Sequence, residues 1–464
     1  MSLPAEWLRG EVAVLGLARS GRAVAELLAR GGARVYASDL SGSDEIRSTA
    51  AALAEQGIAT QAGGHDVERV RRAALLVVSP GVPPDAAALR AGREAGVAVV
   101  SELEVALRAS PGLRYLAVTG TNGKTTTTAI IAHLLEALGH RAVAAGNIGT
   151  PLSAIVQAAA QPDWVALEVS SFQLHDTPSI APRVGVLTNL SPNHLDRYES
   201  VADYYGDKAL LFRNSSGESG WVINGDDPAV RDLWARSGVQ GRTYSFSLRK
   251  GADAALDPGS GELFLLGRHL LWRRAMPLIG DHNVANALAA ALAVAAAVPA
   301  SLEADQLPRL AEGLASFQGL EHRIETVAER DGVLWINDSK STSVSSTLVA
   351  LQAMRRPTVL LLGGRHKGAP YTDLIGEVRR TVHRVIAYGE AAPIVARDLE
   401  GAVPIERLQS SFEDIVRHAR SAARPGDVVL LSPACSSFDM FEDYEHRGRE
   451  FKRLVRAAGD AIRP

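Results

Sequence analysis

The stretch LAVTGTNGKTTTTAI, Leu116 to Ile130, decides the reading of the fold. An apolar run ends at Gly120, Gly123, Lys124 and Thr125 follow, and a helix-forming run comes after them. A strand that turns through glycines into a helix is the local form of a phosphate-binding loop in an α/β sheet. The glycines let main-chain N–H groups close on phosphate oxygens, and Lys124 brings a charge for the outer phosphates. Thr125 brings a hydroxyl for Mg2+, and the helix N-terminus faces the anion. Only Thr121 and Asn122 separate the two glycines, fewer residues than in the common P-loop. On the local pattern alone, an ordinary strand–helix turn with an exposed lysine stays open.

Outward from this loop the chain alternates short apolar runs with helical periods, the pattern of parallel α/β sheets. A first block has strand candidates at 12–16, 34–39, 75–80 and 97–102. A second has them at 115–120, 141–147, 164–171 and 184–191, and a third at 333–339, 358–364, 384–389 and 427–434. A less regular stretch, 240–275, reads as antiparallel. The alanine-rich run Ala287 to Ala300 reads as a buried core helix, too short to span a bilayer. Linkers are expected at 108–114 and 316–323.

The composition excludes several classes. With 464 residues and 46% apolar side chains the chain can bury several cores. A net charge of −3 gives no strong pull toward nucleic acid or anionic lipid. The single cysteine, Cys435, rules out an internal disulfide framework and suits a reducing compartment. Its small neighbours mark it as a buried structural thiol. The first residues lack the charged start and apolar core of a signal peptide, so a soluble, cytoplasmic protein is expected.

Polar residues gather where parallel sheets place ligands, beyond the carboxyl ends of strands. In the second block these are Gly120, Asn147, Glu168 and His194; in the third, Asp338, the loop of Lys367, and Ser436 with Ser437. One cleft between those blocks is the simplest arrangement. Glu168 suits Mg2+, which takes one or two carboxylates and keeps water, and His194 could hold a second metal. Taken singly, Glu168 could cap a helix and His194 could pack. In the first block Gly16, Ala18 and Gly21 form a degenerate dinucleotide fingerprint, with Asp39 ending the next strand. The central alanine hinders pyrophosphate approach and disfavours NAD; another nucleotide diphosphate held by looser contacts fits better. The loop VVSPGVPP, 77–84, lies on the same rim. NDSKSTS, GGRHKGA and SPACSSFDMFEDYEHRG bring lysines, hydroxyls and loop N–H groups suited to a small dianion. Lys340 or Lys367 alone would read as a solvated surface charge.

GTNGKTTTT, GNIGTP, EVSSFQL, NHLDRY, IGDHNVANALAA, EHRIE, NDSKSTS, GGRHKG and LSPACSSFDMFEDYEHRG together resemble, in order, the Mur ligases. These are ATP-dependent amino-acid ligases of peptidoglycan synthesis, and the resemblance covers essentially the whole chain. Within the family, NDSK and SPACSSFD resemble the D-glutamate-adding branch. The family's ATP loop is of the short type, so the spacing raises no objection. The fold implied is α/β in three domains: a Rossmann-like UDP-binding domain over 1–107, a central P-loop-type ATPase domain over 108–318, and a C-terminal Rossmann-like amino-acid-binding domain over 319–464.

The resemblance also implies roles. Gly120, Thr121, Asn122, Gly123, Lys124, Thr125 and Thr126 would hold ATP, with Asn283, Arg323 and Asp338 on its adenine, phosphates and ribose. Two Mg2+ sites would involve Thr125, Glu168, His194 and Lys208, the last where the family carries a carbamylated lysine; Lys124, Glu168, His194 and Lys208 are the catalytic set. Leu17, Asp39, Ser79, Pro80 and Gly81, with Asn147 and His194 toward the sugar, would hold UDP-N-acetylmuramoyl-L-alanine. Lys340, Thr342, Lys367, Ser437, Phe438 and Tyr444 would hold D-glutamate. Asn193 stands where the family often has an acid, and Phe438 and Tyr444 replace an expected Leu and Phe. The implied chemistry is amide formation through an acyl phosphate by a monomer without nucleic-acid or membrane partners. The competing readings are another Mur-type or folylpolyglutamate-type ligase, or a nucleotide-sugar-binding regulator that does not turn over ATP.

Overall fold

Strands buried on both faces read as near-continuous apolar runs. Val12–Leu15, Tyr115–Thr119, Trp164–Glu168, Thr358–Gly363 and Val428–Leu431 are of this kind, each residue buried. They form the centres of three sheets in a computed structural model that describes residues 3–193 and 198–457. Two compact units result, Met1–Met276 with Val284–Ser316, and Pro277–Asn283 with Phe317–Pro464.

The first unit carries two sheets. The N-terminal sheet is parallel, with order β3-β2-β1-β4-β5. Its strands are β1 (Glu11–Leu15), β2 (Arg34–Asp39), β3 (Ala59–Ala62), β4 (Leu75–Val78) and β5 (Val99–Ser101). The larger sheet contains β6 (Tyr115–Thr119), β7 (Ala142–Gly146), β8 (Trp164–Glu168), β9 (Val184–Leu187), β10 (Gly220–Asn224), β11 (Arg242–Ser247), β12 (Ala254–Asp257), β13 (Glu262–Leu265) and β14 (Arg268–Trp272). Its order is β14-β13-β12-β11-β10-β9-β6-β8-β7.

The stretch 240–275, expected to be antiparallel, is only partly so. β11 pairs parallel to β10, because the helix Pro228–Arg236 carries the chain back across the sheet as a βαβ crossover. β12 pairs parallel to β11, and antiparallel pairing begins between β12 and β13. The helix Asp281–Ala297 has the expected buried alanine face, with Ala287 through Ala291 fully buried.

Polar bonds join the two sheets of this unit. The helix Glu102–Ala109 follows β5 directly. Glu102, 2% exposed, accepts from Ser153 N at 2.5 Å, at the start of the helix Leu152–Gln157. Pro151 offers that helix no side-chain cap, so a carboxyl from the other sheet satisfies one of its free N–H groups. Glu104 accepts from Ser179 N and Oγ, and Ser101 Oγ meets Thr177 Oγ1 at 2.6 Å.

The second unit holds a six-stranded sheet with order β15-β16-β20-β17-β18-β19. Its strands are β15 (Glu325–Arg330), β16 (Val333–Asn337), β17 (Thr358–Gly363), β18 (Val382–Tyr388), β19 (Ile405–Leu408) and β20 (Val428–Leu431). All pairs are parallel except β15 with β16. Apolar clusters cover both faces, one around Leu360, Leu362 and Val385, the other around Trp335, Leu361 and Phe451.

Candidate active site

β6 runs into Gly120 at φ 144° and reaches Gly123 at φ 80°, which caps the helix Lys124–Ala137. No side chain caps that helix, and its first internal bond runs from Thr127 N to Gly123 O. The N–H groups of Lys124, Thr125 and Thr126 precede that bond, as an anion site requires. A Cβ at Gly123 would come within 2.3 Å of Asn286 Oδ1, so only glycine fits. The loop is fixed from the adjacent strand end. Asn189 Oδ1 accepts from Asn122 N, Asn189 Nδ2 and Thr188 Oγ1 donate to Asn122 O, and Thr121 N donates to Asn189 O.

Two lysine amines converge on this loop. Lys124 Nζ donates to Gly120 O at 3.0 Å and to Thr121 O at 2.8 Å. Lys208, on the helix Val201–Ala209 and 1% exposed, donates to the same Gly120 O at 2.9 Å and lies 4.5 Å from the Tyr204 ring centroid. Burial and the Lys124 charge lower the Lys208 pKa to about 6, against the pull of Asp207 and Glu168. A pKa near 6 favours the neutral amine at neutral pH.

Glu168 ends β8, beside Val118 of β6, and is 2% exposed. Its Oε1 accepts from Asn147 Nδ2 at 3.0 Å, and Asn147 N donates to Glu168 O. Its Oε2 is buried with no hydrogen-bond partner among the described residues. An orphaned carboxylate oxygen beside a phosphate loop fits a hard divalent cation. Among the described residues no group of three or more His, Cys, Asp or Glu side chains forms a cation cage. His194 lies outside the described residues.

In the N-terminal sheet, Asp39 at the end of β2 accepts from Leu17 N at 2.7 Å and Ser41 N at 2.8 Å. Ser79 Oγ donates to Gly16 O, and a Cβ at Gly21 would sit 1.6 Å from that oxygen, which is why the turn needs glycine there. Asp39, Ser79, Pro80, Gly81 and Asn147 line one cavity of about 470 Å3. Leu17 is buried at its edge, with its N–H spent on Asp39.

The second unit holds the residues expected on the adenosine and on D-glutamate. Asp338, 2% exposed, accepts from Ile324 N and from Ser432 Oγ at 2.7 Å. Burial raises its pKa to about 6, offset by the hydroxyls of Ser341 and Ser432, the Arg323 charge and Ile324 N. Arg323 sits between His322 (φ 63°) and Ile324 (φ 45°), and its Nε is buried without a partner. A β-branched residue in the left-handed region marks a strained, over-determined turn. Asn283 Nδ2 donates to Ile279 O. Lys340 Nζ lies 5.6 Å from the Tyr444 ring centroid, and Thr342 N donates to Lys340 O. Lys367 and Phe438 are exposed, Ser437 is buried, and the Tyr444 hydroxyl donates to Glu445.

Residue-by-residue reading of the sequence passed over Arg447. It is fully buried and donates to Ser339 Oγ, Ser339 O, Cys435 O and Ser436 O, binding the NDSK and SPACSS loops to each other. Asn189 and Asn286, which shape the phosphate loop, were also beyond a local motif. Cys435 is buried as expected, bonded to Tyr371 Oη, and its thiol is pushed up to about 11 by burial.

Three family models match the chain: a MurD-like N-terminal domain of Mur ligases over residues 10–101, the Mur ligase middle domain over 118–294, and a Mur ligase glutamate ligase domain over 322–435. The UDP-N-acetylmuramoylalanine–D-glutamate ligase of Salinibacter ruber is 41% identical over 469 residues, covering 97% of this chain and 99% of its own. The protein of the same name from Myxococcus xanthus is 41% identical over 460 residues, covering 96% and 98%. Among solved structures, the UDP-N-acetylmuramate–alanine ligase MurC of Thermotoga maritima superposes with a TM-score of 0.61 at 19% identity, covering 97% of this chain and all of its own. MurF of Thermotoga maritima, in complex with ADP, gives 0.58 at 18% identity, covering 84% and 91%. Phosphate loop, three α/β sheets and near full-length similarity agree, and the chain belongs to the Mur ligase family.

Proposed function

We propose that this chain is an ATP-dependent ligase that joins D-glutamate to UDP-N-acetylmuramoyl-L-alanine in peptidoglycan precursor synthesis. The observation that carries the chemistry is the convergence of Lys124 and Lys208 on Gly120 O beside the orphaned Glu168 oxygen. Similarity at 41% identity to relatives that carry this activity in their names supports the choice of substrates.

A carboxylate is a poor electrophile, so the ATP γ-phosphoryl group first moves onto the L-alanine carboxylate. The β–γ P–O bond breaks and an acyl phosphate forms. The D-glutamate amine then attacks the acyl carbon, phosphate leaves, and the amine loses a proton. Lys124 and the N–H groups of residues 123–126 receive the charge of the transferring group. Mg2+, when bound, offsets the repulsion between carboxylate and triphosphate; Thr125, Glu168 and His194 would hold it. Asn283, Arg323 and Asp338 would position the adenosine, and Leu17, Asp39, Ser79–Gly81 and Asn147 the nucleotide sugar. Lys340, Thr342, Lys367, Ser437, Phe438 and Tyr444 would hold D-glutamate. The corresponding domains are 1–107, 108–318 and 319–464.

Lys208 would work as a carbamate. A pKa near 6 favours its neutral amine at neutral pH, so it can add carbon dioxide and present two oxygens to the metal. No described helix is long and apolar enough to cross a membrane, and the substrates place the enzyme in the cytoplasm, where it would act as a monomer. The test is phosphate release with each amino acid in turn. D-glutamate alone should support turnover, and equal rates with L-alanine or L-lysine would refute the assignment.

A further inference from the structure

The cavity of about 470 Å3 is lined by Gly16 and by Ala18, Arg19 and Ser20 at the start of the helix Arg19–Arg30, where a diphosphate would meet main-chain N–H groups. Asn147, which follows β7 of the larger sheet, lines it too. Asp39, at the end of β2, takes the place where Rossmann-like sheets put the ribose. One strand further out, beyond the end of β3, is His65, which also lines the cavity. A group bound there is the one beyond the ribose, the base.

The ring of His65 has a defined hydrogen-bonding face. Its Nδ1 lies 2.9 Å from Ser38 Oγ. Ser38 is fully buried, and Nδ1 is the one partner its hydroxyl has. If Nδ1 carried the proton, the buried serine hydroxyl would be left without an acceptor, the costly state for a buried donor. The hydroxyl therefore donates to Nδ1, and Nε2 carries the ring proton. Burial keeps the imidazole below its ordinary pKa, against the charge of Asp39, so the ring stays neutral. Among the described residues Nε2–H has no hydrogen-bond partner, and the residue that carries it lines the cavity.

We infer that His65 reads the base of the nucleotide-sugar substrate: its Nε2–H donates to the O4 carbonyl of uracil and so selects uracil over cytosine. The inference rests on the nucleotide-sugar reading of this cavity. Cytosine presents an amino group at that position, so two donors would face each other across a partly buried contact. A site built to bond one group rejects the analogue that lacks it, because its own polar group goes unpaired.

The test compares UDP-N-acetylmuramoyl-L-alanine with its cytidine counterpart in phosphate release by the full chain, at saturating ATP, Mg2+ and D-glutamate. The parent should favour the uridine substrate by at least about tenfold in kcat/KM, the equivalent of one hydrogen bond. His65→Phe should raise KM for the uridine substrate by about tenfold, with the loss in KM rather than kcat, and bring the two substrates close to parity. His65→Gln, whose amide can turn either face, should restore the uridine KM while improving the cytidine one. Nitrogen NMR of the parent should show His65 protonated at Nε2. A parent that does not discriminate, a His65→Phe protein that keeps its preference, or a ring protonated at Nδ1 would each overturn the inference. If His65→Phe does not fold, the parent ratio, the glutamine variant and the tautomer still decide. Normal turnover without discrimination refutes the role of His65 alone, whereas no nucleotide-sugar-dependent turnover refutes the ligase reading on which it stands.

Discussion

Gly120 O receives two amines, and their proximity sets the properties of both. Lys124 is half-buried, and burial together with the Lys124 charge lowers the pKa of the deeper Lys208 to about 6. Lys124→Ala should lower kcat by at least about a hundredfold, the usual cost of removing a preorganised transition-state donor, while circular dichroism stays unchanged. Lys208→Arg keeps a long basic side chain but cannot form a carbamate. It should lose most activity at saturating Mg2+, and labelled bicarbonate should give a carbamate carbon signal in the parent alone. An arginine variant of normal activity would leave Lys208 a packing residue. Lys367→Ala should raise the apparent KM for D-glutamate by about one to two orders of magnitude, since a charge-assisted bond to a carboxylate contributes about 1.5–3 kcal/mol, and should change the ATP value much less. Lys124 and Thr125 were legible because the loop is local. The burial of Lys208 and the four bonds of Arg447 were not, because each depends on residues distant in sequence that only folding brings near.

At the scale of elements, the helix Leu152–Gln157 directly follows the GNIGTP loop that presents Asn147 to Glu168, and it owes one satisfied N–H to Glu102. Burial raises the Glu102 pKa from 4.5 to about 7, offset by the Ser153 N–H. The folded chain then holds this proton more tightly than the unfolded chain. The stability it contributes is present in full below about pH 4.5 and is lost as pH rises through about 7. Glu102→Gln cannot ionise. Denaturant midpoints measured across that window should move in the variant's favour relative to the parent as pH rises, and parallel curves would contradict a buried, proton-holding Glu102. Most central strands were readable as continuous apolar runs; β10, buried and between β9 and β11, was not singled out. β3, β15 and β19 were not, because they are edge strands of four to six residues whose positions are mostly half-buried, so they carry no apolar run. The parallel placement of β11 follows from the crossover helix before it, which a strand-by-strand reading of 240–275 overlooks.

For the molecule as a whole, three sheets of parallel type were legible from alternation alone. The assignment to Mur ligases rested on nine motifs spread over the chain, and similarity over 97% of its length agrees. Composition gave no strong electrostatic pull toward nucleic acid or anionic lipid and could not choose among ligases. That choice depends on the loops around Lys340, Lys367 and Ser437, where short polar runs acquire meaning only as a set. The proposed order, phosphoryl transfer followed by amine attack, ties phosphate release to both acceptor and amino acid. The decisive measurement is therefore phosphate release by the purified chain with ATP and Mg2+, omitting each remaining substrate in turn, with the amide product counted beside it. Release should require UDP-N-acetylmuramoyl-L-alanine and D-glutamate together and give one phosphate for each amide formed. Equal release without D-glutamate, or release without amide, would contradict the assignment of this chain as a D-glutamate-adding ligase.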